Sequence, residues 1–248
     1  MTSCGDATGC GDATGYGGAA GYGDATGYGA TFDAWRAEAA GPWRDYTHHR
    51  FVQGLAAGTL PRPAFLAYLV QDYRFLIHFS RAWALGIVKA GTLAEMRACA
   101  ATVDALLNHE TSLHFRLCAA AGIDAQALDA AEEAPENLGY TRYVLEAGYS
   151  GDFLDLLAAL APCVLGYGEI GARLAREAAP GTPYRDWIDT YAAGDYQRTC
   201  RDVGALIDGA VAARLGPGAQ SLPRFAELSA RFRTATRLEA AFWNLGRA

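Results

Sequence analysis

The chain has 248 residues, of which 19% are charged, and a formal net charge of -6 at pH 7. That length can bury a sizeable core in one domain, and the acidic balance offers no basic surface to displace counterions from phosphates, which excludes nucleic acid as an expected partner. Cysteines at positions 4, 10, 99, 118, 163 and 200 form no CxxC pair, so reduced thiols and a cytoplasmic location are expected; no run of about 18 apolar residues and no signal-type N-terminus argue against a membrane partner or secretion.

Residues 1–30 repeat a short unit, CGDATG, CGDATGYG, YGDATGYG. So few apolar side chains cannot offset the entropy of ordering the segment, and a disordered low-complexity tail is expected, with a tethering or metal-binding arm through Cys4 and Cys10 as the alternative. From Phe32 the texture changes to Ala, Leu, Arg and Glu, with apolar residues three and four apart. This is the periodicity of amphipathic helices, and it predicts one helical domain over 31–248. Helices are expected near 32–57, 62–90, 93–121, 137–148, 151–178, 184–212 and 221–246, punctuated by glycines 58, 91, 122, 148 and 151 and prolines 61, 135, 180 and 223. Short connections between them predict an all-α, up-and-down multi-helix bundle.

Polar residues on the apolar stripes carry the chemistry. In the second helix Phe65, Leu69, Asp72, Leu76, Phe79 and Trp83 share a face; in the fifth, Leu156, Leu160, Cys163, Tyr167, Ile170 and Leu174; in the last, Phe225, Leu228, Phe232, Ala235, Glu239 and Phe242. Two carboxylates on core stripes need partners, neutralisation or a polar cavity, because an unpaired buried carboxylate costs several kcal/mol. Asp72 paired with an arginine or a backbone group, and Glu239 turned to the surface, are the structural alternatives. Cys163 follows Pro162 in an apolar run, where proline is expected to kink or restart the helix. A thiolate there would gain from the helix dipole, whereas an inert buried cysteine is the competing reading. Tyrosines concentrate at 140, 143, 149, 167, 184, 191 and 196, suiting a flat heteroaromatic ligand or plain aromatic packing.

Glu110 and His114 lie one turn apart beside His109, but no second Glu-x-x-His pair exists to complete a di-iron site. A surface ion pair or helix contact is the simpler reading of Glu110 and His114, and neither metal nor other cofactor is expected.

Six strings recur in one family's order: Phe51-Val52-Gln53-Gly54-Leu55 with Gly58-Thr59-Leu60, Tyr68-Leu69-Val70-Gln71-Asp72-Tyr73, Leu156 to Cys163 ending Ala-Pro-Cys, Gly166-Tyr167-Gly168-Glu169-Ile170-Gly171, Trp187-Ile188-Asp189-Thr190-Tyr191 and Glu239-Ala240-Ala241-Phe242-Trp243. Over about residues 32–246 the chain resembles the TenA, or thiaminase II, family. The resemblance implies a haem-oxygenase-like fold, a homotetramer and hydrolysis of 4-amino-5-aminomethyl-2-methylpyrimidine to the hydroxymethyl pyrimidine, with possible cleavage of thiamin. It further implies Cys163 as nucleophile and Glu239 as acid/base, Asp72 on the pyrimidine amino group, and Tyr140, Tyr167 and Tyr191 around the site. Phe75 stands where the family often has tyrosine, so a hydroxyl is lost there. A binding or regulatory protein without turnover, and an oxidase on the same fold, are the alternatives.

Overall fold

The structure, a computed structural model, describes residues 27–246. Among these there is no strand: twelve α-helices follow one another as α1 (Ala30–Glu38), α2 (Ala40–Thr47), α3 (Arg50–Ala57), α4 (Arg62–Lys89), α5 (Leu93–Ala105), α6 (Thr111–Ala119), α7 (Ala125–Ala130), α8 (Pro135–Ser150), α9 (Phe153–Glu177), α10 (Arg185–Ala192), α11 (Gly194–Leu215) and α12 (Pro223–Phe242). The all-α bundle expected from the periodicity is the fold observed.

Its axis is α9. The helix begins with a reciprocal cap, in which the Asp152 side chain accepts from the amides of Leu154 and Asp155 while the Asp155 side chain accepts from the amide of Asp152. Every residue from Phe153 to Gly168 is then buried, because α4, α8, α10, α11 and α12 all pack around it. By length and composition α9 is apolar enough to cross a membrane, which corrects the expectation that no such run exists, and 94% of its most apolar window is buried inside the protein. A helix apolar on all sides is a core helix when neighbours cover every side. Gly171 sets how closely α10 approaches: a Cβ at that position would lie 2.5 Å from the backbone carbon of Tyr191. Gly171→Ala therefore forces two helices apart, and a loss of about 1–3 kcal/mol is expected in urea denaturation.

Three of the expected helices are divided. The stretch 32–57 is α1, α2 and α3, broken around Ala39 and at His48–His49, where the His49 ring accepts from the Phe51 amide as a cap. The stretch 184–212 is α10 and α11, interrupted at Ala193, whose backbone is extended. Between α5 and α6 the backbone takes one π turn, Leu106–Glu110, so the stretch 93–121 changes register midway. The tail expected over 1–30 lies outside the described residues as far as residue 26. Tyr28 is buried against α11, donating to Gln197, and Asp208 of α11 accepts from the amides of Ala30 and Thr31 at the start of α1.

Candidate active site

Helices α4, α8, α9 and α12 and the π turn converge on a buried polar cluster. Asp72 projects from the middle of α4 and is 3% exposed. The Tyr68 hydroxyl donates to its Oδ2 at 2.7 Å, and His114 Nε2 lies 2.6 Å from the same oxygen. The partner is thus neither an arginine nor a backbone group but His114, for which a surface ion pair or helix contact is the simpler expectation from the sequence. The other ring nitrogen of His114 lies 3.0 Å from the carbonyl oxygen of Glu110. A carbonyl and a carboxylate are both acceptors, so the ring donates from both nitrogens and carries a proton on each. Burial pulls the His114 pKa down, but the adjoining Asp72 carboxylate and these hydrogen bonds outweigh it and the net shift is upward. The Trp187 indole donates to the Tyr68 hydroxyl at 3.3 Å and the Tyr167 hydroxyl sits 3.4 Å from it, so Asp72 ends a chain of aligned dipoles.

His114→Ala removes one half of this buried pair and leaves Asp72 with Tyr68 alone. A loss of about 3–5 kcal/mol is expected at pH 6. Because the folded pKa of His114 is raised, its contribution is complete below the ordinary value of 6.5 and disappears as pH climbs through the folded value. The gap between wild type and variant should therefore narrow in urea titrations at alkaline pH.

Glu239, on α12, is 2% exposed, which settles the surface alternative against it. The Tyr140 hydroxyl of α8 donates to its Oε1 at 2.7 Å, and Glu239 lies near enough to Cys163 to raise the thiol pKa. Burial raises its pKa to about 8, with the Asp72 charge adding to the rise and the Tyr140 bond opposing it. Cys163 lies within α9, eleven positions into the helix rather than at a new start, so no helix N-terminus stabilises its thiolate. Burial, then the neighbouring Glu239, Glu110 and Asp72, push the thiol well above its ordinary value. This corrects the expectation of a dipole-lowered thiol: at rest Cys163 is neutral.

Phe75 stacks on Tyr140 with ring centroids 5.0 Å apart and on Phe79 at 5.1 Å, so its ring continues an aromatic wall beside Glu239. Tyr167 packs on Tyr191 at 4.9 Å, and the Tyr191 hydroxyl donates to Glu110 Oε1 at 2.9 Å. The seven residues singled out from the sequence thus form two groups, Cys163, Glu239, Tyr140 and Phe75 on one side and Asp72, Tyr167 and Tyr191 on the other, with Tyr191 also reaching Glu110. Tyr68, His114 and Glu110 complete the cluster.

A cavity of about 550 Å³ meets the cluster at Glu110 and Cys163 and is lined beside them by Phe79, Leu106, Val164 and Tyr196, with Asp72 and Glu239 behind this lining. That volume suits a small heteroaromatic ligand. Cys163 alone of the buried cysteines borders it; Cys99, Cys118 and Cys200 are fully buried elsewhere in the core. Among the described residues no group of three or more His, Cys, Asp or Glu side chains is arranged to hold a metal ion.

The chain as a whole has known relatives. A family model described as the TENA/THI-4/PQQC family matches residues 36–247. The chain is 34% identical over 220 residues to an aminopyrimidine aminohydrolase of Halalkalibacterium halodurans, covering 87% of this chain and 95% of that one. It is 31% identical over 205 residues to an aminopyrimidine aminohydrolase of Helicobacter pylori, covering 82% and 92%. A crystal structure from Silicibacter sp. TM1040, described as a TenA family transcription regulator, is 60% identical and superposes with a TM-score of 0.86 over 88% of this chain and 97% of that one. With a family match that spans nearly all the described residues, the chain belongs to the TENA/THI-4/PQQC family.

Proposed function

We propose that the protein is an aminopyrimidine hydrolase of thiamin salvage, exchanging the exocyclic amine of 4-amino-5-aminomethyl-2-methylpyrimidine for a hydroxyl through covalent catalysis by Cys163. The observation that carries this reading is a cavity bordered by the Cys163 thiol, beside the buried Glu239 carboxyl group that Tyr140 holds and whose pKa is raised. The named relatives that hydrolyse aminopyrimidines support it.

The chemistry is set by the protonation states. At neutral pH both Cys163 and Glu239 hold their protons, so no thiolate waits in the resting site. The sulfur adds to a ring carbon while Glu239 gives its proton to a ring nitrogen from one oxygen and receives the thiol proton on the other. Addition then proceeds without separating charge in a poorly solvated site. The ring has lost its aromaticity, and its nitrogen electrons expel the substituent on the exocyclic methylene, the C–N pair leaving with ammonia. Water adds to the methylene and loses a proton; the C–S bond breaks with its pair returning to sulfur, which recovers a proton as the ring regains aromaticity. Both side-chain hydrogen bonds to Asp72 end on Oδ2, so Oδ1 serves the amino group of the pyrimidine. The imidazolium of His114 holds that carboxylate in place. Tyr140 orients Glu239, Tyr167 stands behind Tyr68, and Phe75 presents a ring face without a hydroxyl.

Purified protein incubated with the aminomethyl pyrimidine is expected to release hydroxymethyl pyrimidine and ammonia in equal amounts. Tight ligand binding without either product would replace the hydrolase reading with that of a binding protein. Thiamin, offered in parallel, tests whether a thiazolium also leaves. The assembly expected with this function is a cytoplasmic homotetramer, which light scattering checks.

A further inference from the structure

The mechanism above uses two of the three carboxyl groups in the polar cluster, and the third is the half-buried Glu110. Asp72 is held by Tyr68 and His114, and Glu239 by Tyr140. Glu110 accepts one hydrogen bond, from the Tyr191 hydroxyl to Oε1, and no donor among the described residues reaches its second oxygen. It borders the same cavity as Cys163 and is near enough to raise the thiol pKa.

Its placement is made by the backbone. Leu106–Glu110 is a π turn, in which the extra residue rotates α6 relative to α5. The Glu110 carbonyl meets the His114 ring, while the Glu110 side chain turns to Tyr191 and the cavity. Toward the cavity opening lie Asp195, Asp202 and Arg198, and Arg198 is paired with Asp195. A second carboxylate oxygen facing a ligand cavity, with one oxygen fixed by a tyrosine, is a directional acceptor for an N–H cation.

We propose that Glu110 is the specificity residue for the leaving group, binding the ammonium of the aminomethyl substituent through its free oxygen while Asp72 binds the ring amino group. The assignment rests on the hydrolase reading for its substrate. It divides the work of the carboxyl groups: Glu239 at the sulfur and ring nitrogen, Asp72 at the ring amine, Glu110 at the exocyclic amine. Enclosure in the protein raises the Glu110 pKa to about 7, with Asp72 adding to the rise and His114 and the Tyr191 bond opposing it, so an arriving ammonium draws the group into its charged form.

The test compares two ligands that differ at the proposed contact. Affinities for the aminomethyl pyrimidine and for the hydroxymethyl pyrimidine are measured by calorimetry in the Cys163→Ala background, with Glu110 intact or changed to Gln. Glu110→Gln is expected to weaken the amine about 10–100-fold, the scale of one charge-assisted hydrogen bond, and the alcohol by less than about 3-fold on the scale of a neutral bond retained. In the Cys163 enzyme the same substitution raises KM for the amine by a similar factor. Tyr191→Phe keeps the carboxylate and is expected to keep the preference for the amine. Equal loss for both ligands in Glu110→Gln, or loss of the preference in Tyr191→Phe as well, assigns the effect to cavity shape and overturns the proposal. Turnover by wild type is judged separately: if both ligands bind, the preference collapses only in Glu110→Gln and no product forms, Glu110 keeps this role and the hydrolase reading falls.

Discussion

Cys163→Ala is expected to lower kcat/KM for the aminomethyl pyrimidine by at least about 10³-fold, because loss of a covalent nucleophile removes the whole addition pathway rather than one favourable contact. The substitution removes a single sulfur at the edge of a cavity, from a residue that is 7% exposed, and stability should change by about 1 kcal/mol or less. Urea denaturation beside the kinetic assay separates the two effects. A folded variant that retains a tenth of wild-type turnover is incompatible with attack by this sulfur. Serine at the same position should not restore activity. A buried hydroxyl is a far weaker nucleophile than a thiol, and Glu239, protonated at rest, offers little base strength to activate it.

Glu239→Gln is expected to show opposite signs in activity and stability. Turnover should fall by about 10²–10⁴-fold, since glutamine keeps the shape and the acceptor for Tyr140 but passes no proton. For stability the sign comes from the pKa. Glu239 is held neutral in the folded protein up to about 8, against an ordinary value of 4.5. Its favourable contribution is complete below 4.5 and is lost as pH rises from there through 8, because the unfolded chain ionises first. Glutamine mimics the neutral acid at every pH. Wild type and variant should match near pH 4.5, and above pH 8 the variant should be the more stable by about 5 kcal/mol, the span between the two pKa values at 1.36 kcal/mol per unit. Wild-type kcat should also decline above pH 8 as the proton needed for ring protonation is lost. Variant stability that tracks wild type at every pH would mean that Glu239 is charged in the folded state.

The parts of the site that were legible in the sequence lie on long regular helices. Asp72, Cys163 and Glu239 each interrupt an apolar stripe of three- and four-residue steps, and α4, α9 and α12 hold that period for 28, 25 and 20 residues. Burial therefore came from counting. His114 and Glu110 were not legible as members of the site because the π turn inserts a residue between α5 and α6, so the apolar stripe of α5 does not continue into α6. The buried Leu113 and Cys118 flanking His114 were the available signal. Pro162 misled in the other direction. Proline ordinarily marks a boundary, yet α9 runs through it, enclosed by neighbouring helices and with the Pro162 carbonyl accepting from the Tyr46 hydroxyl at 3.4 Å. The division of 32–57 into three helices was announced by Gly41-Pro42 and by the consecutive histidines 48 and 49, where apolar spacing alone suggests continuity.

The measurement that bears most directly on the central claim is alkylation of the unmodified protein with iodoacetamide at pH 9, combined with peptide mapping and assay of aminopyrimidine hydrolysis on the same samples. Cys163 borders the cavity, whereas Cys99, Cys118 and Cys200 are fully buried, so among these four Cys163 should be modified first, and slowly, because its raised pKa leaves little thiolate even at pH 9. Activity should fall in proportion to its modification, and hydroxymethyl pyrimidine should protect both. Complete modification of Cys163 with hydrolysis undiminished would contradict the account.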